Sequence, residues 1–397
     1  MNPNNDIPPR GSTGPWSGRA PEERPYISHR TDPPYQSPPG WQPLPPLPPL
    51  PPSVSAKRSL KQTVRRIIPA ILILFLVENI AAYGIAFGIN MILSDRIQLA
   101  DAGMLQFPAG TYYGMRLGLY DLLTSYLPVV IGEVAAVFYL RTISGIPFGR
   151  LFSRPHIPPS DINPAGRSLP AWSWILFAAV AGLGISMIGQ ILATVELNFL
   201  YNIDFPYYSP DFSTDGYTLL DTGLCDLYVC ILGPVMEEIL FRGFLLKSCQ
   251  RHGVSFAAVF TAILFTFYHM NLVQLCVPLL MGLFFAELTI RTDSLIPSLV
   301  CHIINNSFAT LLDYITPSSE VWSWVFMIVE CAVFIGIFAI FRIYYGKGLS
   351  AVRRWRSPVL QLSSQIGAAF ATWPMVLYTV LYIGMIAVSS ISTMLAG

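Results

Sequence analysis

Long apolar runs follow one another along the sequence from Ile67 to the C-terminus. Each is about 17 to 29 residues long, which is the length that a helix needs to cross a bilayer. Lipid offers backbone groups no hydrogen-bond partners, so only helices and closed barrels can span it. The sequence therefore predicts an all-α, polytopic membrane bundle. The runs lie near 67–93, 118–140, 171–199, 223–246, 254–270, 272–290, 294–312, 322–345 and 367–395.

The number of spans depends on one segment. Residues 254–290 form either two spans or a kinked, re-entrant pair, so the bundle has nine or eight transmembrane helices. Charged residues make up 12% of the chain, where a soluble protein usually has about a quarter. The formal net charge of +1 gives no sign of nucleic-acid binding. The six cysteines show no CxxC spacing and are interpreted as small buried residues.

The first 56 residues have a different composition. They are polar and rich in proline, and they end near the stretch WQPLPPLPPLPPS at 41–53. Such a stretch favours polyproline II and has little capacity to bury a core. We expect residues 1–56 to form a disordered cytosolic tail. The alternative is that the tail binds a partner that recognises proline motifs.

Basic residues mark the cytosolic side of the predicted bundle. Five of them precede the first apolar run: Lys57, Arg58, Lys61, Arg65 and Arg66. The loop at 141–170 carries arginines, whereas the loop at 200–222 carries only acidic charges. By the positive-inside rule the N-terminus is cytosolic. We expect an integral, multi-pass membrane protein, in the plasma membrane if the source is bacterial.

The stretch GPVMEEILFRG at 233–243 places three charges inside one apolar run. Ionisable residues within a membrane span are costly, which makes each one a candidate for function. Glu238 and Arg242 are four residues apart, so they share a helix face and can form an ion pair. Glu237 lies about 100° away around the helix and stays available for another role.

Two later runs carry polar residues at the same spacing. Phe265 and His269 are four apart, as are His302 and Asn306. A rise of 1.5 Å per residue puts Glu237 roughly 15 Å deep, His302 roughly 12 Å and His269 roughly 22 Å. A tilted or short helix would bring His269 level with the others. The three helix faces are therefore expected to converge within the bilayer.

These residue types support two kinds of chemistry. A carboxylate beside an imidazole can hold a water molecule and remove its proton, and a second imidazole with an amide can stabilise an oxyanion. Together they could hydrolyse a peptide bond. Alternatively, Glu237, His269 and His302 could hold a catalytic zinc ion. No HExxH sequence occurs in the chain. No internal repeat is evident, which argues against a transporter.

The three pairs resemble the motifs of the CAAX protease and bacteriocin-processing family, also called CPBP or Abi. Its EExxxR motif matches Glu237, Glu238 and Arg242, its FxxxH motif matches Phe265 and His269, and its HxxxN motif matches His302 and Asn306. The resemblance covers residues 220–315. Residues 57–219 and 316–397 would supply further transmembrane helices on either side of that core.

The resemblance implies a helical membrane endopeptidase of the glutamate type. Glu237 with His269 would activate water, His302 with Asn306 would form the oxyanion hole, and Glu238 with Arg242 would be a supporting ion pair. Phe265 would pack beside the site. No cofactor is expected, with a zinc-dependent enzyme as the alternative. The implied partners are a membrane-associated or lipidated protein or peptide substrate and the lipid bilayer. The competing hypothesis is a non-catalytic binding or bacteriocin-immunity protein with the same fold.

Overall fold

The computed structural model describes residues 52–155, 171–208, 214–315 and 360–396, with scattered positions between 322 and 336. All of them belong to one compact unit, Leu50–Gly397. The predicted tail up to residue 51 lies outside the described residues. So does most of the predicted span 322–345.

The described residues are almost entirely helical, which confirms the predicted all-α membrane bundle. The α-helices are α1 Pro52–Ile67, α2 Pro69–Ile92, α3 Ser94–Asp101, α4 Leu117–Asp121, α5 Leu127–Ser144, α6 Phe148–Leu151, α7 Ala171–Asn202, α8 Leu219–Leu227, α9 Gly233–Glu237, α10 Lys247–Cys249, α11 Val254–Tyr268, α12 Cys276–Thr292, α13 Ile296–Ile315, α14 Leu362–Phe370 and α15 Trp373–Ala396. Short π-helical segments cover Leu122–Tyr126, Tyr228–Leu232 and Glu238–Leu246, and a 3₁₀ turn covers Gln250–His252. In the described residues, strands β1 Thr111–Tyr112 and β2 Met115–Arg116 form one antiparallel hairpin.

Among the described residues, four helical segments are long and apolar enough to cross a membrane. They are Ser53–Ile92, Leu117–Ser144, Ala178–Asn202 and Trp373–Leu395. Helix α11 is apolar but shorter, and the segment from Leu219 to Cys249 is helical throughout but carries several charges. These helices indicate an integral membrane protein. The total number of spans and the side of the N-terminus stay predictions.

The first helix begins at Pro52, inside the segment predicted to be a tail through residue 56. Proline is well tolerated in the first turn of a helix, where its missing N–H has no intrahelical partner. Apolar side chains give α1 a reason to fold, because Leu60 and Val64 are fully buried while Lys57 and Arg58 stay exposed. The sequence did not predict a helix start at Pro52, because the preceding residues are rich in proline.

Helices α2 and α5 approach closely at Gly132. A methyl group added there would lie 2.7 Å from the backbone oxygen of Leu74 and 3.1 Å from Cβ of Glu78. Small residues allow this backbone approach in helix pairs within membranes. Helix α5 also packs on α9 and on the π-helical segment that follows it, which carry Glu237 and Glu238.

A polar cluster joins α1 to the turn before α11 and to α14. Thr63 Oγ1 lies 2.6 Å from His252 Nε2 and accepts a hydrogen bond from Arg251 Nη2 at 2.5 Å. Gln365 Nε2 donates to the backbone oxygen of His252 at 2.5 Å. Burial, helped by the neighbouring Arg251 cation, lowers the pKa of His252 to about 4. Its imidazole is therefore neutral at physiological pH.

The main core packs around residues 240–249, the last part of the helical segment that begins at Leu219. Fully buried side chains in this core include Phe241, Phe244, Phe256 and Phe260. A second, smaller cluster joins α7, α12 and α13 around Phe285 and Cys301. Phe265 belongs to the main core, and Phe285 belongs to the second cluster.

Candidate active site

The two adjacent glutamates have different surroundings. Glu237 is the last residue of α9, and its side chain is 16% exposed. Glu238 begins the π-helical segment, and its side chain is fully buried. π-Helical turns often occur at functional sites because they turn side chains away from their α-helical positions. Of the two carboxyl groups, Glu237 is the one that a water molecule or a substrate can reach.

Glu238 forms the predicted ion pair with Arg242. Arg242 Nη1 lies 3.0 Å from Glu238 Oε1, and the arginine side chain is only 1% exposed. The guanidinium carbon also lies 4.2 Å from the ring centroid of Phe265 and 5.1 Å from that of Phe285. Charge pairing and two aromatic faces together offset the cost of burying the arginine. The i,i+4 prediction for this pair is confirmed.

His302, on α13, lies between the two glutamates. Its Nδ1 is 3.1 Å from Glu238 Oε1, and its Nε2 is 3.5 Å from Glu237 Oε2. The first distance is a hydrogen bond, whereas the second is longer than the usual 2.7–3.2 Å range. Because a carboxylate only accepts, Nδ1 is the donor to Glu238. Nε2 therefore lies beside the more accessible carboxylate.

His269 follows the last residue of α11. Its Nδ1 lies 2.8 Å from the backbone oxygen of Phe265. A carbonyl oxygen only accepts, so Nδ1 carries the hydrogen, and Nε2 of the neutral ring keeps its lone pair. Glu237 lies within electrostatic range of this ring. Helix α11 ends at Tyr268, so His269 lies in the turn that follows the helix.

The side-chain amide of Asn306 makes two hydrogen bonds. Its Nδ2 donates to the backbone oxygen of Val229 at 3.0 Å, and its Oδ1 accepts from Asn305 Nδ2 at 3.3 Å. An amide nitrogen carries two hydrogens, so one N–H of Asn306 is left to bind another acceptor. The sequence grouped Asn306 with His302, and the structure adds that the amide is anchored on the π-helical segment Tyr228–Leu232.

This segment of the chain also matches a known family. Residues 223–308 match the Rce1-like type II CAAX prenyl endopeptidase family model. The match contains all three motifs, which confirms the resemblance inferred from them, and it indicates a CAAX protease-type peptidase. It covers less than a quarter of the chain. Searches of curated proteins and of solved structures returned no match.

Phe265 lies at the centre of the Rce1-like segment. Its ring centroid is 5.0 Å from that of His269 and 6.0 Å from that of His302, with edge-to-face geometry in both cases. The same ring covers the guanidinium of Arg242. Phe265 therefore packs against both motif histidines and against Arg242.

Phe285 is a site residue that the sequence did not reveal. It is stacked on the His302 ring with the centroids 4.7 Å apart, and it also covers Arg242. Phe285 lies on α12 among other apolar residues, and no polar neighbour or motif spacing distinguishes it. Only the packing of α12 against α13 shows its role.

The zinc alternative needs three ligands around one point. Within the described ranges, no three His, Cys, Asp or Glu side chains are grouped as metal ligands. Nδ1 of His269 donates to a backbone oxygen and Nδ1 of His302 donates to Glu238, so each ring has only Nε2 to offer a metal ion. Because the described residues show no group of three ligands, the reaction proposed for this site is assigned to the side chains alone.

Proposed function

We propose that this protein is an intramembrane endopeptidase that hydrolyses a peptide bond of a membrane-associated or lipidated substrate, using a water molecule activated by Glu237 and His269. The supporting observation is the difference between the adjacent glutamates. Glu238 is sealed by Arg242, whereas Glu237 is accessible and has no cation at ion-pair distance other than His302, among the described residues. A general base needs a carboxylate that is accessible and is not neutralised by a buried ion pair.

In the proposed reaction Glu237 is the general base and His269 helps it to hold the water molecule. Water is held between the Glu237 carboxylate and the lone pair of His269 Nε2. Glu237 takes a proton from the water, and the hydroxide attacks the carbonyl carbon of the substrate. When the tetrahedral intermediate collapses, the C–N bond breaks and the proton passes from Glu237 to the leaving amine. The carboxylate is thereby restored for the next turnover.

The oxyanion of the intermediate needs hydrogen-bond donors. We assign this role to the remaining N–H of Asn306 and to the Nε2–H of His302, which are one helical turn apart on α13. This role requires both ring nitrogens of His302 to carry a hydrogen, because Nδ1 already donates to Glu238. The long 3.5 Å distance from Nε2 to Glu237 leaves this nitrogen able to turn to a substrate oxygen. Glu238 orients His302 through Nδ1, and Arg242 holds Glu238 in place. The proposal involves no metal ion.

The substrate class follows from the surroundings of the site. The site lies among apolar helices, so a peptide that reaches it is expected to arrive from the membrane rather than from water. The matching family is described as prenyl endopeptidases. A prenylated peptide with a CAAX ending is therefore the first substrate to test, followed by unmodified membrane peptides.

The test uses the purified full chain in lipid nanodiscs and a fluorogenic prenylated CAAX peptide. We expect Glu237→Gln to lower kcat by about 10²- to 10⁴-fold, which is the usual contribution of a general base. The control is Glu287→Gln, because Glu287 is another partly buried glutamate of a membrane helix but is paired with Arg291. Its variant should retain activity. A strong chelator should leave the wild-type rate unchanged.

Three results would contradict the proposal. Full activity of Glu237→Gln would show that Glu237 is not the general base. If a chelator abolished activity and zinc restored it, the reaction would depend on a metal ion and not on water activated by Glu237 and His269 alone. If folded wild type cleaved neither prenylated nor unmodified membrane peptides, the binding or immunity hypothesis would replace the enzyme.

A further inference from the structure

A third glutamate, outside the motifs, lies next to the site. Glu133 is on α5, and its side chain is fully buried. None of the ion pairs found in the described ranges includes it. Its Oε2 has no hydrogen-bond partner in the structure. A buried carboxyl group without a cation is costly, which makes its single hydrogen bond worth attention.

That hydrogen bond is made with Tyr268, the residue directly before His269. The hydroxyl of Tyr268 donates to Glu133 Oε1 at 3.1 Å. Tyr268 is the last residue of α11, and His269 follows it directly. The Tyr268 ring also packs against the rings of His269 and Phe241, with centroids 5.6 Å and 5.5 Å apart. Glu133 is thus one residue removed from a proposed catalytic group.

The end of α11 needs an anchor of this kind. Met270 has a φ of +54°, so the chain leaves the helix immediately after His269. Helix ends lack continuing intrahelical hydrogen bonds and are held by side chains or by packing. The bond between Tyr268 and Glu133 ties this end to α5, the helix that also packs on the segment carrying Glu237. This contact therefore links the end of α11 to the helix that packs beside Glu237.

We propose that Glu133 and Tyr268 are positioning residues, and that their hydrogen bond holds His269 against Glu237. This inference depends on the proposed function for its effect on rate. Glu133 acts as a hydrogen-bond acceptor, and neither residue touches the substrate.

The first test is a set of variants in the nanodisc assay. Tyr268→Phe removes only the hydroxyl, and Glu133→Leu removes the acceptor. We expect each to lower kcat by about tenfold or more at unchanged KM, since small displacements of catalytic groups cost rates of this order. Glu133→Gln keeps an acceptor oxygen and should restore at least half of the wild-type kcat. The double variant should be no slower than the slower single one.

Tyr139→Phe is the matched control. Tyr139 is on the same helix, α5, and its hydroxyl also makes one hydrogen bond, to the backbone oxygen of Arg66 at 3.1 Å. It contacts none of the motif residues through that bond. We expect its kcat to equal that of the wild type.

A second readout does not depend on activity. Hydrogen–deuterium exchange of the amides at 269–271 should be faster in Tyr268→Phe and Glu133→Leu than in the wild type, and unchanged in Glu133→Gln and Tyr139→Phe. If the wild type cleaves no substrate, the proposed function fails while this exchange still tests the anchor.

Two outcomes would overturn the proposal. One is wild-type kcat and wild-type exchange in Tyr268→Phe. The other is a Glu133→Gln variant as impaired as Glu133→Leu, because the carboxyl group would then act through its charge or its proton rather than as an acceptor.

Discussion

Removing the cation of the buried ion pair is the most demanding test of the site's architecture. In Arg242→Met the side chain stays unbranched and apolar but loses the guanidinium, so Glu238 is left buried without its cation. Both side chains are at most 1% exposed, and they lie 3.0 Å apart. Breaking a buried pair of this kind from one side costs about 3–5 kcal/mol. The lost contact with Phe265 adds about 0.5–2 kcal/mol.

One contact reduces that cost. Glu238 keeps its hydrogen bond from His302 Nδ1 at 3.1 Å, so the carboxylate is not left without any partner. We therefore expect the free energy of unfolding to fall by about 3–5 kcal/mol in total. Adding Glu238→Gln to Arg242→Met removes the unpaired charge and should recover about 1–3 kcal/mol.

The assay is reversible unfolding in mixed micelles, followed by tryptophan fluorescence. Arg291→Met is the control, because Arg291 and Glu287 have the same i,i+4 spacing but their side chains are 22% and 19% exposed. A more exposed pair of this spacing is worth less than about 1 kcal/mol. The reasoning is refuted if Arg242→Met is no more destabilising than Arg291→Met, or if Glu238→Gln further destabilises the Arg242→Met background.

Two further predictions concern the bundle around the site. Gly132→Ala should lower the free energy of unfolding by about 1–3 kcal/mol, because its methyl group would lie 2.7 Å from the Leu74 carbonyl oxygen. The control is Gly84→Ala, whose added methyl group has nothing within 4 Å and should cause no loss in the same unfolding assay. Equal effects at both sites would contradict the close approach of the helices at Gly132. His252 should make stability depend on pH, since its folded pKa of about 4 lies below the ordinary value of about 6.5. Its contribution is fully present above about pH 6.5 and is lost as pH falls towards 4, so the thermal midpoint of His252→Gln should vary less than that of the wild type over this window.

Local patterns in the sequence were sufficient for much of this site. The spacing of four residues places Glu238 and Arg242 on one helix face, and the ion pair follows from geometry within a single helix. The same spacing puts Phe265 over His269. The order of three short motifs on separate apolar runs was enough to indicate the family. None of these inferences required knowledge of how the helices pack.

Contacts between helices could not be obtained in this way. The sequence grouped His302 with Asn306, whereas the structure directs the imidazole to Glu237 and Glu238 and holds the amide on Val229. Which partner a side chain meets across a helix interface depends on the rotation and depth of both helices. The π-helical segments change that rotation, and their positions are not visible in the apolar pattern.

Apolar length and i,i+4 spacing are properties of one segment at a time, so they predict a helical membrane bundle and identify the polar residues within it. Only the packing of several helices shows how deeply Glu238 is buried and how much of Glu237 is exposed, that Phe285 covers His302, and that Glu133 contacts Tyr268. Burial and cross-helix distance are properties of several segments packed together, so no single run of residues contains them.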